Sequence, residues 1–171
     1  MKRYTMQKVI VIGCPGAGKS TFARKLRDIT GLPLFYLDMI WHRSDGTHIS
    51  PEEFDARLEE LLLKEKWIID GNYLRTLDVR LEACDTVFFL DYPLDVCLEG
   101  ARSRIGKKRE DLPWVEEEFD EEFRQWIMDF PKDQLPQMYE LVRQYSGTKE
   151  VHILHSREEA KKHLELAALK K

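Results

Sequence analysis

The sequence predicts an α/β fold in which a parallel sheet is covered on both faces, and three observations predict it. One is Gly13-Cys14-Pro15-Gly16-Ala17-Gly18-Lys19-Ser20-Thr21, a complete G-x-x-x-x-G-K-[ST] phosphate loop directly after the apolar run Val9-Ile10-Val11-Ile12. Another is the recurrence of short apolar runs at 9–12, 34–37, 67–69, 87–90 and 151–154. These are continuously apolar rather than alternating, as strands buried on two faces must be. The last is the set of helical stripes between the runs, which gives the strand–helix alternation of βαβ units.

The elements follow in order. The run at 9–12 is the strand that delivers the phosphate loop, and Ser20 to Leu26 reads as the first turns of a helix beginning near Lys19. Gly13, Gly16 and Gly18 allow backbone turns closed to residues with side chains, so successive N–H groups can point inward at phosphate oxygens. The helix start adds unpaired N–H groups and the positive end of its dipole. In this reading Lys19 reaches the β and γ phosphates, the Ser20 hydroxyl ligates Mg²⁺, and Thr21 contacts the α phosphate.

After the strand at 34–37, Ser50-Pro51-Glu52-Glu53 opens a helix with a capping box and a proline in its first turn. Phe54, Leu58, Leu61 and Leu62 form its apolar stripe. Leu94, Leu98, Ala101 and Ile105 form a later stripe, behind the strand at 87–90. Phe119, Phe123, Trp126, Ile127 and Phe130 form another, ended by Pro131, and Leu135, Met138, Tyr139 and Val142 form the next, ended near Gly147. The last helix, about 157 to 169, follows the strand at 151–154. There is no internal repeat or linker, so residues 1–171 read as one domain.

Bulk composition narrows the function classes. Hydrophobic residues make up 43% and charged residues 34% of the chain, within the range of a soluble globular protein. A net charge of −4 argues against broad electrostatic binding to nucleic acid. Cys14, Cys84 and Cys97 are odd in number and lack C-x-x-C spacing, which suggests neither a disulfide framework nor a zinc site and fits a reducing cytoplasm. Residues 1–8 and the short run after them read as neither a signal peptide nor a membrane span. The five histidines are scattered, without metal-ligand spacing.

Open α/β sheets bind ligands beyond the carboxyl ends of their strands. Three of the five runs end in aspartate: Asp38, Asp70 and Asp91. Nucleotide-bound Mg²⁺ takes only one or two carboxylates, so Asp70 is assigned to Mg²⁺ through water, and Asp38 to an acceptor hydroxyl or its proton. Asp91 either supports the phosphate-loop lysine or serine or turns the chain with Tyr92-Pro93. After Asp70, Gly71 permits close approach of a ligand, and Asn72 and Tyr73 supply directional polar groups. Arg75 or Arg80 could clamp an anionic acceptor bidentately, although Arg80 could equally be a solvated helix residue.

Five cations, Arg102, Arg104, Lys107, Lys108 and Arg109, then surround Gly106, before Asp111-Leu112-Pro113 breaks the helix and the charge reverses through 116–122. A transferring phosphoryl group needs cationic stabilisation and exclusion of water, which a mobile arginine-bearing lid supplies. Arg102, Arg104 and Arg109 are its candidates.

With these pieces placed, the chain resembles the adenylate-kinase-like and shikimate-kinase-like P-loop kinases. More narrowly it is similar to bacterial topology-modulation-protein-like, adenylate-kinase-related proteins. The segments that carry this are 13–21, Leu37-Asp38-Met39-Ile40-Trp41, Trp67-Ile68-Ile69-Asp70-Gly71-Asn72-Tyr73, Phe89-Leu90-Asp91-Tyr92-Pro93 and Phe123-Arg124-Gln125-Trp126-Ile127. The resemblance implies a three-layer αβα P-loop NTPase fold, a five-stranded parallel sheet in the order 2-3-1-4-5 and a helical lid insertion at about 102–118. It also implies an adenine-contacting loop at His155-Ser156-Arg157-Glu158, with Arg157 on the nucleotide, and an acceptor site that includes Asp38 and Trp41. Nucleotide kinases of similar fold carry Asp-Gly-Phe-Pro-Arg where this chain has Asp70-Gly71-Asn72-Tyr73-Leu74-Arg75.

The expected function is an ATP- and Mg²⁺-dependent phosphotransferase acting on a small molecule, a nucleotide or hydroxylated metabolite, as a monomer or homodimer. The alternative is a nucleotide-binding regulator of DNA topology or gene expression. A signalling GTPase fits less well, because no N-K-x-D sequence is present for guanine.

Overall fold

The structure, a computed structural model, describes residues 5–170. Residues 1–4, on which the reading of the first eight residues partly rests, lie outside the described residues, as does residue 171. Five strands, β1 (Lys8–Gly13), β2 (Leu34–Tyr36), β3 (Trp67–Asp70), β4 (Thr86–Leu90) and β5 (Glu150–Leu154), form one sheet in the order β2-β3-β1-β4-β5. All four pairings are parallel. This is the 2-3-1-4-5 order expected.

The helices are α1 (Lys19–Thr30), α2 (Leu37–Trp41), α3 (Pro51–Leu62), α4 (Leu74–Ala83), α5 (Leu94–Ser103), α6 (Glu121–Asp133), α7 (Leu135–Tyr145) and α8 (Arg157–Leu169). Val9, Ile10, Val11 and Ile12 are wholly buried, so β1 is covered on both faces. Helix α1 packs on α8, and a second group of helices runs α3, α4, α7, α6, α5 through successive contacts. The capping box at α3 is present: the Ser50 side chain accepts from the Glu53 N–H, and Pro51 occupies the first turn. Ser156 caps α8 in the same way, accepting from the Glu159 N–H at 3.1 Å.

Three local expectations change. Leu37 does not extend β2 but starts the short α2, which places Asp38 in a helical first turn. Pro131 does not end its helix, because α6 runs to Asp133. A proline near the end of a helix forfeits one backbone hydrogen bond, and the following turn still closes through the Gln134 N–H to the Phe130 carbonyl at 2.9 Å. The insertion between α5 and α6 is not helical: residues 104–120 are turns, bends and extended chain. Gly106 there has φ +77°, outside the right-handed helical range, and Pro113 lacks an N–H donor.

Parallel register brings the carboxyl ends of the central strands level. Val11 pairs with Asp70, and Gly13 with Leu90. The chemistry-bearing residues therefore emerge on one edge of the sheet.

Candidate functional site

The phosphate loop is held by backbone packing. Gly16 has φ +84°, and a Cβ on it would lie 2.0 Å from the Cys97 carbonyl oxygen. A Cβ on Gly100 would in turn lie 1.9 Å from the Gly16 oxygen, so α5 and the loop meet backbone to backbone. Lys19 Nζ reaches back to the Cys14 carbonyl at 3.4 Å, across the loop's mouth. Cys14 and Cys97 are both buried beneath it, and the hydrogen bond between their thiols, followed by burial, pushes the Cys14 thiol well above its usual value.

Asn72, expected as an acceptor contact, is mainly a brace for this loop. Its side-chain oxygen accepts from the Gly13 N–H at 2.9 Å and its amide donates to the Gly13 carbonyl at 2.7 Å. The Gly71 N–H already donates to Val11 at 3.2 Å, so the Asn72 side chain extends the β1–β3 ladder one step past the strand.

Ser20 is the centre of a compact oxygen cluster. Its Oγ lies 2.8 Å from Asp70 Oδ2 and 2.9 Å from Asp111 Oδ2. A hydroxyl has one proton to donate, so it satisfies only one of these carboxylates at a time. Asp70 is 6% exposed, and its Oδ1 is among the described buried polar atoms with no hydrogen-bond partner. Burial pushes the Asp70 carboxyl up to about 6, against the pull of Lys19 and of the Ser20 bond. Burial also raises the Asp111 carboxyl, but the hydrogen bond and charge of Arg109 outweigh it and hold the group below the ordinary range. Two hard carboxylates and a hydroxyl, one carboxylate oxygen of them orphaned, fit Mg²⁺, which binds oxygen and keeps several positions for water and phosphate. No described group of three or more His, Cys, Asp or Glu residues could hold a metal on its own.

Asp38 faces the same cleft. Its Oδ1 accepts from the Tyr73 hydroxyl at 2.6 Å, and burial raises that phenol far above its ordinary value, which keeps it a donor. Tyr73 has φ +39°, the one non-glycine residue with positive φ among those described. Such a backbone costs about 1 kcal/mol or more and persists where surrounding structure enforces it. The enforcing group is Arg80. Wholly buried, it donates to the carbonyls of Gly71 (2.9 Å), Asn72 and Tyr73 (3.1 Å). Burial draws its guanidinium down to about 9, which leaves it protonated at neutral pH.

Arg80 is therefore neither an acceptor clamp nor a solvated helix residue. Arg75, the other expected clamp, points away from the cleft and pairs with Asp55 on α3 at 2.7 and 3.0 Å. Trp41 stacks on His48 with ring centroids 4.3 Å apart and meets Tyr73 edge-on, so it supports the acceptor wall from behind. Asp91 accepts from the Tyr139 hydroxyl and anchors α7, with no contact to the loop lysine or serine.

Residues 104–120 form the outer wall. Arg109 donates to Asp111 (2.7 and 3.0 Å) and to Glu116 (2.8 Å). Glu110 accepts from Tyr36 and pairs with Arg27 at 3.0 Å, and Trp114 meets His42 with centroids 4.9 Å apart. Arg104 is directed inward, its Nε buried with no partner. Burial and the nearby Arg109 charge lower its pKa. Arg102 is exposed and lies over the Phe119 ring at 5.6 Å, outside the cleft.

Two cavities meet across the phosphate loop. One, about 850 Å³, is bordered by Pro15, Lys19, Ser20, Asp38, Gly71 and Tyr73 and roofed by the 104–120 segment. The other, about 840 Å³, is bordered by Ala17, Gly18, Thr21, Tyr92 and Arg157. Gly16 and Arg104 border both. Asp111, Trp114 and Trp126, which also border the 850 Å³ cavity, are candidate site residues that the sequence did not point to. Asp111 lies 91 positions from Ser20, and the only local signal, Asp111-Leu112-Pro113, reads as a helix stop.

No protein-family profile matches the chain. It is 31% identical over 108 residues to an adenylate kinase of Thermosipho melanesiensis, covering 58% of this chain and 47% of that protein. It is 30% identical over 94 residues to an adenylate kinase of Thermotoga maritima, covering 53% and 42%. The chain thus spans about half the length of the curated relatives it matches. Among solved structures it is similar to shikimate kinase from Acinetobacter baumannii in complex with shikimate, with a TM-score of 0.62, 20% identity and coverage of 98% and 96% of the two chains. It is also similar to a gluconokinase from Sinorhizobium meliloti, with a TM-score of 0.55, 16% identity and coverage of 98% and 96%. Its fold is that of the adenylate-kinase-like and shikimate-kinase-like P-loop kinases. No helix among the described residues is long and apolar enough to cross a membrane.

Proposed function

We propose that this protein is a P-loop phosphotransferase that moves the γ-phosphoryl group of ATP to a hydroxyl of a small molecule. The observation that carries the reading is the meeting of two cavities of nearly equal size at Gly16 and Arg104. One suits a nucleoside and its phosphates, with Thr21 and Arg157 on its wall. The other suits an acceptor beside Asp38. A protein that only sensed nucleotide would need the nucleoside cavity alone, which weighs against a nucleotide-binding regulator of DNA.

The chemistry is an in-line displacement. The acceptor oxygen forms a bond to the γ phosphorus as the bond to the β–γ bridging oxygen breaks, and ADP leaves with that electron pair. Asp38 accepts the hydroxyl proton. Tyr73 uses one of its acceptor sites and orients it, and a carboxylate has further capacity for the substrate. Lys19 and the loop N–H groups hold the β and γ phosphates. Arg104, at the boundary of the two cavities, faces the charge that develops on the transferred group. Ser20, Asp70 and Asp111 would hold Mg²⁺, which when bound neutralises charge on the β and γ phosphates. Residues 104–120 act as the lid, excluding water from the transferred group.

Incubating the protein with ATP, Mg²⁺ and a panel of hydroxylated metabolites and nucleotides tests this. ADP release that depends on an acceptor and is lost in Lys19→Ala is the expected result. ADP release that ignores every acceptor, or that survives Lys19→Ala, would remove the proposal.

A further inference from the structure

The kinase reading leaves the acceptor's chemistry open, and the charges around the first cavity narrow it. Among the described residues, three Lys and Arg side chains border that cavity: Lys19, Arg104 and Arg109. Lys19 belongs to the phosphate loop, and Arg104 is shared with the nucleoside cavity, so both face the phosphoryl donor. The Arg109 charge is already matched by Asp111 at 2.7 Å and Glu116 at 2.8 Å. Arg75 and Arg80, the arginines best placed in sequence to grip an anion, are held by Asp55 and by backbone carbonyls.

What remains at the acceptor end is acidic and aromatic. Asp38 lies at its floor, and Glu117, Glu118 and Asp120 stand at its rim. His42 adds no positive charge at neutral pH, because burial lowers its pKa despite the nearby Asp38. Tyr73, Trp114, Phe123 and Trp126 provide ring faces and edges, with 42% of Trp126 exposed. A carboxylate or phosphate bound here would lose its hydration with no guanidinium beyond the donor-facing Arg104 and the already paired Arg109 to replace it, and would face four carboxylates. A flat ring would stack on the aromatic wall, and a positive charge would gain both from the rings and from the acidic rim.

We propose that the acceptor is an alcohol built on a flat ring and bearing no anionic group, so that it is uncharged or cationic. This rests on the phosphotransferase reading above, and it excludes nucleoside monophosphates and hydroxy acids as the physiological acceptor class.

The test uses the full chain with ATP, Mg²⁺ and matched acceptors at equal concentration. Pyridoxine and pyridoxamine would be set against 4-pyridoxic acid, and adenosine against AMP, with ADP release and tryptophan fluorescence as readouts. Thermal stabilisation by ATP and Mg²⁺, compared with Lys19→Ala, reports on the donor side separately. The uncharged or cationic member should be preferred by about tenfold or more within a pair. The double variant Glu117→Lys/Glu118→Lys, at two exposed positions, should shift that ratio toward the anionic member by a similar factor.

Preference for the anionic member overturns the proposal and leaves the kinase reading intact. So does a ratio that the double lysine variant leaves unchanged. If no member of either pair binds or is turned over while ATP still stabilises the protein, the proposed acceptor class is wrong and the donor site stands. If ATP fails as well, the kinase reading falls with it.

Discussion

The two cavities that meet at Gly16 and Arg104 have nearly the same volume and are built in different ways. The phosphate-loop side is made of backbone: a glycine-rich turn, the first turn of α1, and the close approach of α5 through Gly16 and Gly100. The side proposed for the acceptor is made of side chains from α2, from the β3–α4 turn and from the 104–120 segment. Backbone geometry serves any nucleoside triphosphate, whereas converging side chains can be exchanged singly. Such a division lets one scaffold keep its phosphoryl donor and change its acceptor.

Four measurements test this contrast. The largest effect is expected at the boundary. Arg104→Ala should lower kcat by about 10³-fold, with little change in KM for ATP or acceptor, because an arginine on the transferring group acts chiefly in the transition state. A rise in one KM with kcat intact would assign Arg104 to one side.

Arg80→Ala should come next. Three backbone carbonyls would lose their charged donor, at a cost of about 3 to 5 kcal/mol in urea unfolding. A stable Arg80→Ala protein with a raised acceptor KM would return Arg80 to the substrate site.

A pH titration tests the oxygen cluster. Burial on folding raises the Asp70 carboxyl from its ordinary value of 3.8 to about 6, so the folded state binds this proton more tightly than the unfolded chain does. That contribution is complete below about pH 4 and is lost as pH rises through about 6. The stability of the wild type relative to Asp70→Asn should therefore fall by about 3 kcal/mol across that window. Mg²⁺ added near pH 6 should stabilise the wild type more than the variant. A pH-independent difference would show that Asp70 is already ionised.

The smallest effect is expected at Arg75. Its pair with Asp55 is exposed, so Arg75→Ala should leave both kinetic constants and the melting temperature close to wild type. An acceptor KM that rises severalfold would contradict its placement outside the cleft.

The same contrast explains what could be read from the sequence. The phosphate loop is contiguous and its mechanism is a backbone mechanism, so residues 13–21 carry their own interpretation. That Asp38 and Asp70 come to one edge of the sheet was also legible, because the ends of parallel strands converge. Arg75 and Arg80 were not told apart, although a signal was present. Leu77, Arg80 and Leu81 lie on one helical face, and that face is the buried one. Asp111 had no such signal: segment 104–120 has no periodicity, and its place is set by Arg109, by Tyr36 acting through Glu110, and by Ser20 far away in sequence. A lid was expected there, but its non-helical form was not. Its shape depends on side-chain pairs rather than a backbone ladder.

The backbone contact between Gly16 and Gly100 also bears on movement. The loop and α5 lie backbone to backbone, with no room for a Cβ at either glycine, so a shift of α5 at this contact would have to move the phosphate loop with it. Arg104 follows directly on α5. The first freely deformable point is Gly106, with φ +77° and open space around its Cα. The Gly106 N–H donates to the Glu116 carbonyl at 2.6 Å, closing the base of a flap. Opening that flap would carry Arg109, Asp111 and Glu116 away together, as one cation between two carboxylates, and leave Arg104 at the end of α5.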